Sequence, residues 1–295
     1  MNGDSKTVLI TGCSSGIGHA SARRLAAAGW NVYASARRPD SIADLAAADC
    51  TTLALDVTDE ASMAAAVEQV EAASGPITAL VNNAGYSQSG AVETLPMERL
   101  RAQFDTNVFG LVRMCQLVLP GMRRAGFGRI VNISSMGGRM TFPGGGAYHG
   151  SKYAVEALSD ALRFEVRGFG VDVVVIEPGL IKTRFGETAA SSLGAAEGPA
   201  GGKAEPESDD PYAGFNAAVG AATVGAYEGP LSRLGGGPDS VAKVIQRALV
   251  ARSPRPRYKV TPSARLILAQ RRLLPDRAWD AFLASQFPKP GAPPE

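Results

Sequence analysis

Tyr148 and Lys152, in the stretch YHGSK, stand four residues apart in a segment that reads as the start of a helix. Both side chains therefore point the same way. A phenol beside an ammonium is a matched proton donor. Free tyrosine titrates near ~10, and a nearby positive charge favours the phenolate and lowers that value. The pair becomes a general acid or base able to work near physiological pH. Tyrosine and lysine often fall four apart by chance, so company matters. Ser135 lies thirteen residues before Tyr148, in NISSMGG, and a glycine-rich turn, TGCSSGIG, spans Thr11–Gly18. These three features in this order point to hydride transfer with a nicotinamide cofactor.

The elements that must position them can be read from the apolar pattern. Short runs rich in Val, Ile and Leu occur at Thr7–Thr11, Asn31–Ala36, Thr51–Asp56, Ala79–Asn82, Arg129–Ser134 and Val171–Glu177. They lack polar alternation, as expected of strands buried on both faces. Helical patterns lie between them, at Gly16–Ala28, Ser41–Ala48, Asp59–Ala73, Met97–Arg124 and Ala147–Gly168. This alternation predicts an α/β fold with a parallel sheet and helices on both faces. Ligand is expected at the carboxyl ends of the strands, where the residues above fall.

Gly12, Gly16 and Gly18 follow the first strand and open a helix. Glycines there let the backbone approach a pyrophosphate, which the helix N-terminus stabilises; Ser14, Ser15 and Ile17 belong to the same turn. The end of the second strand decides which nicotinamide. An acid there would hold a ribose 2′-hydroxyl, whereas an arginine suits a 2′-phosphate. Ala36 stands where the acid would be, and Arg37 and Arg38 follow. Arg37 is the expected phosphate ligand, so NADP(H) is favoured over NAD(H), although two arginines also suit a solvated loop. Asp40, after Pro39, reads as a helix cap. Asp56, with Val57 beside it, could accept from an adenine amino group or cap the next helix. Asn83, Ala84 and Gly85 in NNAG suit a tight turn beside a cofactor, or merely a tight turn. Asn107 falls inside an apolar helix, where an amide demands a partner. It reads either as part of a proton relay behind Lys152 or as a satisfied core amide. The two histidines are His19 and His149. His149 adjoins Tyr148 but projects about 100° away on a helix, and neither histidine supports a metal site or a Ser-His-Asp triad.

With TGCSSGIG, NNAG, Asn107, Ser135, YHGSK and EPGLIKT in order, the chain resembles the short-chain dehydrogenase/reductase family from Thr7 to about Thr183. TGCSSGIG and SMGGRMTFPGGGAYHGSK look most like the branch of 17-beta-hydroxysteroid and retinol dehydrogenases. The resemblance implies a single Rossmann-type, doubly wound sheet of about seven strands. It implies that Ser135 hydrogen-bonds the substrate oxygen, that Tyr148 exchanges the proton, and that Lys152 holds the nicotinamide ribose and lowers the Tyr148 pKa. Asn107 would anchor a water linking Lys152 to solvent. Pro178, Gly179 and Thr183 would close over the nicotinamide. Ser134 keeps a competing claim to the serine role. A homodimer or homotetramer built through the two long helices is implied as well. A regulator that binds NADP without turnover would have little need of Ser135, Tyr148, Lys152 and Asn107 together.

The substrate is expected to be an apolar ketone or aldehyde, steroid-, retinoid- or polyketide-like, in a cleft formed by Tyr86, Met136, Met140, Phe142, Phe185 and the segment after it. Residues 1–183 form the cofactor and catalytic core. Residues 184–238 read as a loop or lid with a short helix near Tyr212–Ala222. Residues 239–288 read as helices completing the domain, with Asp239 or Ser240 at an N-cap and a last strand at Arg257–Val260, and 289–295 as a disordered tail. SARLILAQRRLL is basic and amphipathic. It suits either packing on the domain, with Arg265, Arg271 and Arg272 in water, or an acidic membrane surface. The net charge of +2 and the absence of basic tracts interleaved with aromatics give no sign of a nucleic-acid partner. Cys13, Cys50 and Cys115 show no metal spacing and suit a reducing cytoplasm. The N-terminus does not read as a signal peptide, and no apolar run is long enough for a membrane span.

Overall fold

The six apolar runs and the short segment Arg257–Lys259 form seven strands in one sheet of order β3-β2-β1-β4-β5-β6-β7, with every pair parallel. The structure is a computed structural model and describes residues 6–183, 188, 189, 192 and 210–290. The strands are β1 (Thr7–Ile10), β2 (Asn31–Ala36), β3 (Cys50–Ala54), β4 (Ala79–Asn82), β5 (Gly128–Ile133), β6 (Val171–Glu177) and β7 (Arg257–Lys259). Alternate side chains feed opposite faces. Val8 and Ile10 enter one core with Val32, Ala34, Val81, Val131 and Ile176. Leu9 enters the other with Tyr33, Leu80, Ile130 and Val173. Helices α1 (Gly16–Ala27) and α8 (Pro238–Val250) cover the first face through Leu25, Val241 and Ile245. Helices α3 (Glu60–Ser74), α5 (Gly110–Ala125) and α6 (Gly146–Val166) cover the second through Val67, Met114 and Val155. The sheet is thus doubly wound, as the run pattern predicts.

Arg129 ties the C-terminal part to the sheet. It is buried on β5, and its Nη1 donates to the carbonyls of Ala248 (2.5 Å) and Ala251 (3.0 Å) at the end of α8. Its Nη2 donates to Asp172 at 2.8 Å. The last carbonyls of a helix have no partner within it, and this buried guanidinium supplies one.

Several elements differ from expectation. Asp40 lies in the first turn of a short 3₁₀ segment, after α2's approach from β2, and caps nothing; α2 itself is Ala43–Ala46. Asp59, not Asp56, caps α3 by accepting from Ala61 and Ser62. Helix α8 starts at Pro238 with Gly237 as N-cap, because proline needs no partner for a first-turn N–H. Asp239 instead pairs with Arg24 at 2.7 Å. Residues 213–234 are ordered structure rather than a loop: α7 (Ala213–Glu228) is followed by a 3₁₀ turn, Pro230–Leu234. Alanine, the best helix former, carries this segment despite its glycines. Residues 184–187, 190, 191 and 193–209 of the expected lid, and residues 291–295 of the tail, lie outside the described residues. Helices α9 (Pro262–Leu273) and α10 (Asp276–Ala284) pack on the domain around Leu268 and Trp279. Arg265 and Arg272 are exposed, but Arg271 pairs with Asp276 and lies over Trp279, 5.6 Å from the ring centre. Among the described residues no helix is long and apolar enough to cross a membrane.

Candidate active site

The order of the sheet reverses between β1 and β4, and the carboxyl ends of these strands are locked together. Thr11 Oγ1 accepts from the N–H groups of Asn83 and Ala84, both at 3.0 Å. Asn83 Nδ2 donates back to the carbonyls of Thr11 and Gly12, both at 2.9 Å. Gly12 has φ +71°, and a Cβ there would lie 2.7 Å from Ala84 Cα. Gly18 meets the Gly12 carbonyl so closely that a side chain has no space. Ser15 occupies the N-cap of α1 in an extended conformation without a side-chain cap bond. The first N–H groups of α1 have no intrahelical acceptor.

A cavity of ≈ 1480 Å³ starts at this turn. A drug-sized site measures roughly 300–1,000 Å³, so there is room for a dinucleotide and a second molecule. Gly12, Ser14, Ser15, Gly16 and Ile17 line one end, followed by Ala36, Arg37, Asp56 and Val57. Asn83, Ala84 and Gly85 continue the wall toward Tyr148, Lys152, Pro178, Gly179 and Thr183. Asp56 Oδ1 accepts from both the N–H and the hydroxyl of Thr58, at 2.9 and 2.8 Å. The Thr183 methyl group faces the Gly16 backbone.

Ser135, Tyr148 and Lys152 come together at the floor. Tyr148 lies close enough to Ser135 for the serine to lower its pKa, and Ser135 Oγ accepts from the N–H of Gly137 at 3.0 Å. Ser134 points the other way: its Oγ is buried without a partner beside Gly138. The geometry thus favours Ser135 for the serine position. Lys152 Nζ donates to the Ile133 carbonyl at 2.8 Å and lies 5.9 Å from the Tyr148 ring centre. Burial pulls the Lys152 pKa down to about 8, opposed by the charge of Glu156. Burial also pushes the Tyr148 phenol above its ordinary value, against a lowering by Ser135 and with a further rise from Tyr227. The sequence-based expectation of a lowered Tyr148 pKa is therefore corrected. Loss of water around a 9% exposed phenol outweighs the lowering by Ser135.

Asn107 sits in a π turn, Asp105–Phe109, between α4 (Met97–Phe104) and α5, where one continuous helix was expected. Its Oδ1 accepts from the N–H of Tyr86 at 3.1 Å, and its Nδ2 donates to the Tyr86 carbonyl and Ser151 Oγ, both at 3.0 Å. A Cβ on Gly85 would lie 2.9 Å from Asn107 Oδ1 and 3.8 Å from Lys152 Nζ. The amide is thus both a satisfied core group and a neighbour of Lys152.

The family model described as short chain dehydrogenase matches residues 6–193. The chain belongs to the short-chain dehydrogenase family. It is 35% identical over 279 residues to the uncharacterized oxidoreductase YbbO of Escherichia coli strain K12, covering 94% of each chain. It is 34% identical over 290 residues to the NADPH-dependent 3-dehydrocapnine reductase of Ornithobacterium rhinotracheale, covering 95% of this chain and 97% of that one. The crystal structure of a short-chain dehydrogenase from Streptomyces avermitilis superposes with a TM-score of 0.74 at 33% identity, over 97% of both chains.

On the substrate side of this short-chain dehydrogenase, Tyr86, Met136 and Phe142 line the cavity as expected. Met140 does not. It is fully buried behind the wall against Leu268 and Trp279, because Phe142 and Met136 occupy the surface and Met140 fills the gap beneath. Phe185 lies outside the described residues. Val219 and Tyr227 of α7, in the segment after Phe185, line the cavity; the sequence reading missed the rest of the far wall, built by Leu266 and Ile267 of α9 and by Phe282 and Phe287. The amphipathic pattern of SARLILAQRRLL was the available signal. It also missed His149, whose ring lines the cavity.

The Lys152 pKa gives a signed expectation. A value lowered to about 8 means an ammonium below that pH and a neutral amine above it. Affinity for a nicotinamide cofactor should weaken as pH rises through about 8. Fluorescence titration from neutrality upward checks this; an affinity independent of pH across that window would count against an ammonium contact.

Proposed function

We propose that this oxidoreductase is an NADP(H)-dependent reductase that interconverts an apolar ketone or aldehyde and its alcohol. The observation that carries the reading is the placing of Ser135, Tyr148 and Lys152 together on the wall of a cavity that begins at the glycine turn. Two hydroxyls converge on one point, with a buried lysine behind them. NADPH, when bound, supplies the hydride. The residues supply position, a proton and charge.

Ser135 accepts from Gly137, which leaves its own O–H to direct at a substrate oxygen. Tyr148 is neutral, since burial raises its pKa. It is therefore a donor able to give its proton to the oxygen as negative charge develops there. The ammonium of Lys152 then stabilises the phenolate left behind and offers donors to a ribose. Asn107 Oδ1 spends one lone pair on Tyr86; a carbonyl oxygen has a second, which can serve a relay toward Lys152. The glycine turn with Ser14, Ser15 and Ile17 would hold the pyrophosphate, Asp56 and Val57 the adenine, and Pro178, Gly179 and Thr183 the nicotinamide. Closing the cavity with apolar side chains excludes water from the reacting atoms.

NADP(H) is supported by Ala36 leaving no carboxylate at the end of β2, and by Arg37 lying exposed on the cavity wall. The NADPH dependence in the name of the Ornithobacterium relative supports the same choice and the reductive direction. Exposed Tyr153, Leu158 and Phe164 on α6, with Phe109 beside α5, support association through these helices as a homodimer or homotetramer.

Three outcomes are expected. Tyr148→Phe should lower kcat/KM for ketone reduction by about 10²–10⁴-fold while cofactor affinity is kept; retained turnover would remove Tyr148 from the mechanism. Arg37→Ala should weaken NADPH binding by about tenfold or more, the scale of a charge-assisted contact, and leave NADH binding unchanged. Equal losses for both cofactors would sink the 2′-phosphate assignment. Light scattering should give a multiple of the 30.6 kDa chain mass, shifted to the single-chain mass by Phe164→Asp; a monomeric wild type would end the oligomer reading.

A further inference from the structure

His149 is a buried imidazole that the mechanism above does not use. Its ring reaches the cavity wall because two glycines make space. A Cβ on Gly137 would lie 2.4 Å from Nδ1, and one on Gly145 would lie 2.5 Å from Nε2. The ring also meets Phe142 and Tyr148 edge-on, with centroids 6.2 and 5.5 Å away.

Nδ1 lies 3.1 Å from the carbonyl oxygen of Gly137. A carbonyl only accepts, so Nδ1 carries the proton and Nε2 is the bare acceptor. Burial holds the His149 pKa down to about 4, so the ring is neutral at physiological pH. Nε2 has no hydrogen-bond partner among the described residues. The residue lines the cavity, and Nε2 is not among the buried atoms left without a partner, so a bound molecule can reach it. The Cβ site of Gly137, on the Nδ1 edge of the ring, is 3.4 Å from Ser135 Oγ, and Nε2 borders Gly145 on the same cavity wall. A molecule held by Ser135 and Tyr148 therefore passes the imidazole as well.

We propose that His149 Nε2 is a specificity-determining acceptor that receives an O–H or N–H carried by the substrate within one or two carbons of the reacting carbonyl. The inference rests on the reductase reading and narrows its substrates to ketones bearing a neighbouring hydroxyl or amino group on an otherwise apolar body. A site built to hydrogen-bond such a group discriminates strongly against an analogue lacking it, because the bound analogue strips water from the acceptor and leaves it unpaired.

The test compares ketones of one chain length with NADPH: the 1-hydroxy, 1-amino, 1-methoxy and unsubstituted 2-ones. The methoxy compound keeps the electron withdrawal of the hydroxyl and lacks the donor. In wild type, kcat/KM for the hydroxy or the amino ketone should exceed that for the methoxy ketone by about tenfold or more. Which of the two gains more identifies the donor. In His149→Phe the ratio should fall to near one. Being a ratio within one enzyme, it is insensitive to partial loss of folded protein. With two histidines in the chain, ring ¹⁵N spectra offer a second readout. The Nε2 resonance of His149 should start at the position of a bare nitrogen and move upfield with the hydroxy ketone but not with its methoxy analogue. A wild-type ratio near one, a ratio that survives His149→Phe, or an unmoved Nε2 signal overturns the proposal. Failure to reduce any ketone would overturn the reductase reading instead, and the ¹⁵N comparison would still decide the role of His149.

Discussion

The crossed hydrogen bonds between Thr11 and Asn83 are the constraint on which the site depends. Sheet order reverses between β1 and β4, so the helices that follow them leave on opposite faces and a crevice opens there. Nothing in the sheet ladder itself holds the two strand ends together past the last paired residues. The threonine hydroxyl and the asparagine amide do so, the first accepting from two backbone N–H groups and the second donating to two backbone carbonyls. That places the glycine turn against Ala84 and leaves no side chain between them. Everything downstream is measured from this joint: Gly85 and Asn107 on one side of it, Lys152 beyond.

A second theme is the use of glycine as borrowed space. Val219 of α7 fills the position of a Cβ at Gly144, where φ is +74°. His149 fills those at Gly137 and Gly145, and Ser134 the one at Gly138. Gly137, Gly144 and Gly145 thus serve as sockets for partners from α6 and α7. Conformational freedom is the lesser part of their use. The segment carrying Ser135 is fixed from both sides, which suits a hydroxyl whose direction matters.

The strands were legible because residues buried on both faces must be apolar throughout, and a continuous Val/Ile/Leu run has few other readings. Ser135, Tyr148 and Lys152 were legible because their spacing survives folding: two lie on one helix, and the third ends a strand beside it. What escaped the sequence depends on contacts between distant segments. Met136 and Met140 look alike in the chain, yet one faces the cavity and the other packs on Trp279. His149 does project away from Tyr148 along the helix, but glycines in another segment let its ring reach the same cavity. The Tyr148 pKa was misjudged because Lys152 is visible in the sequence and desolvation is not.

The π turn at Asp105–Phe109 puts the site at odds with its own helix. A π turn holds one residue more than an α-helix joining the same two halves. Removing one residue would let α4 and α5 run on as a single regular helix, with Leu111 and Met114 still in the core. The bulge would be gone, and with it the turn of backbone that carries Asn107 to Tyr86 and Ser151. Along this stretch the count of residues, more than their identity, fixes where the amide points.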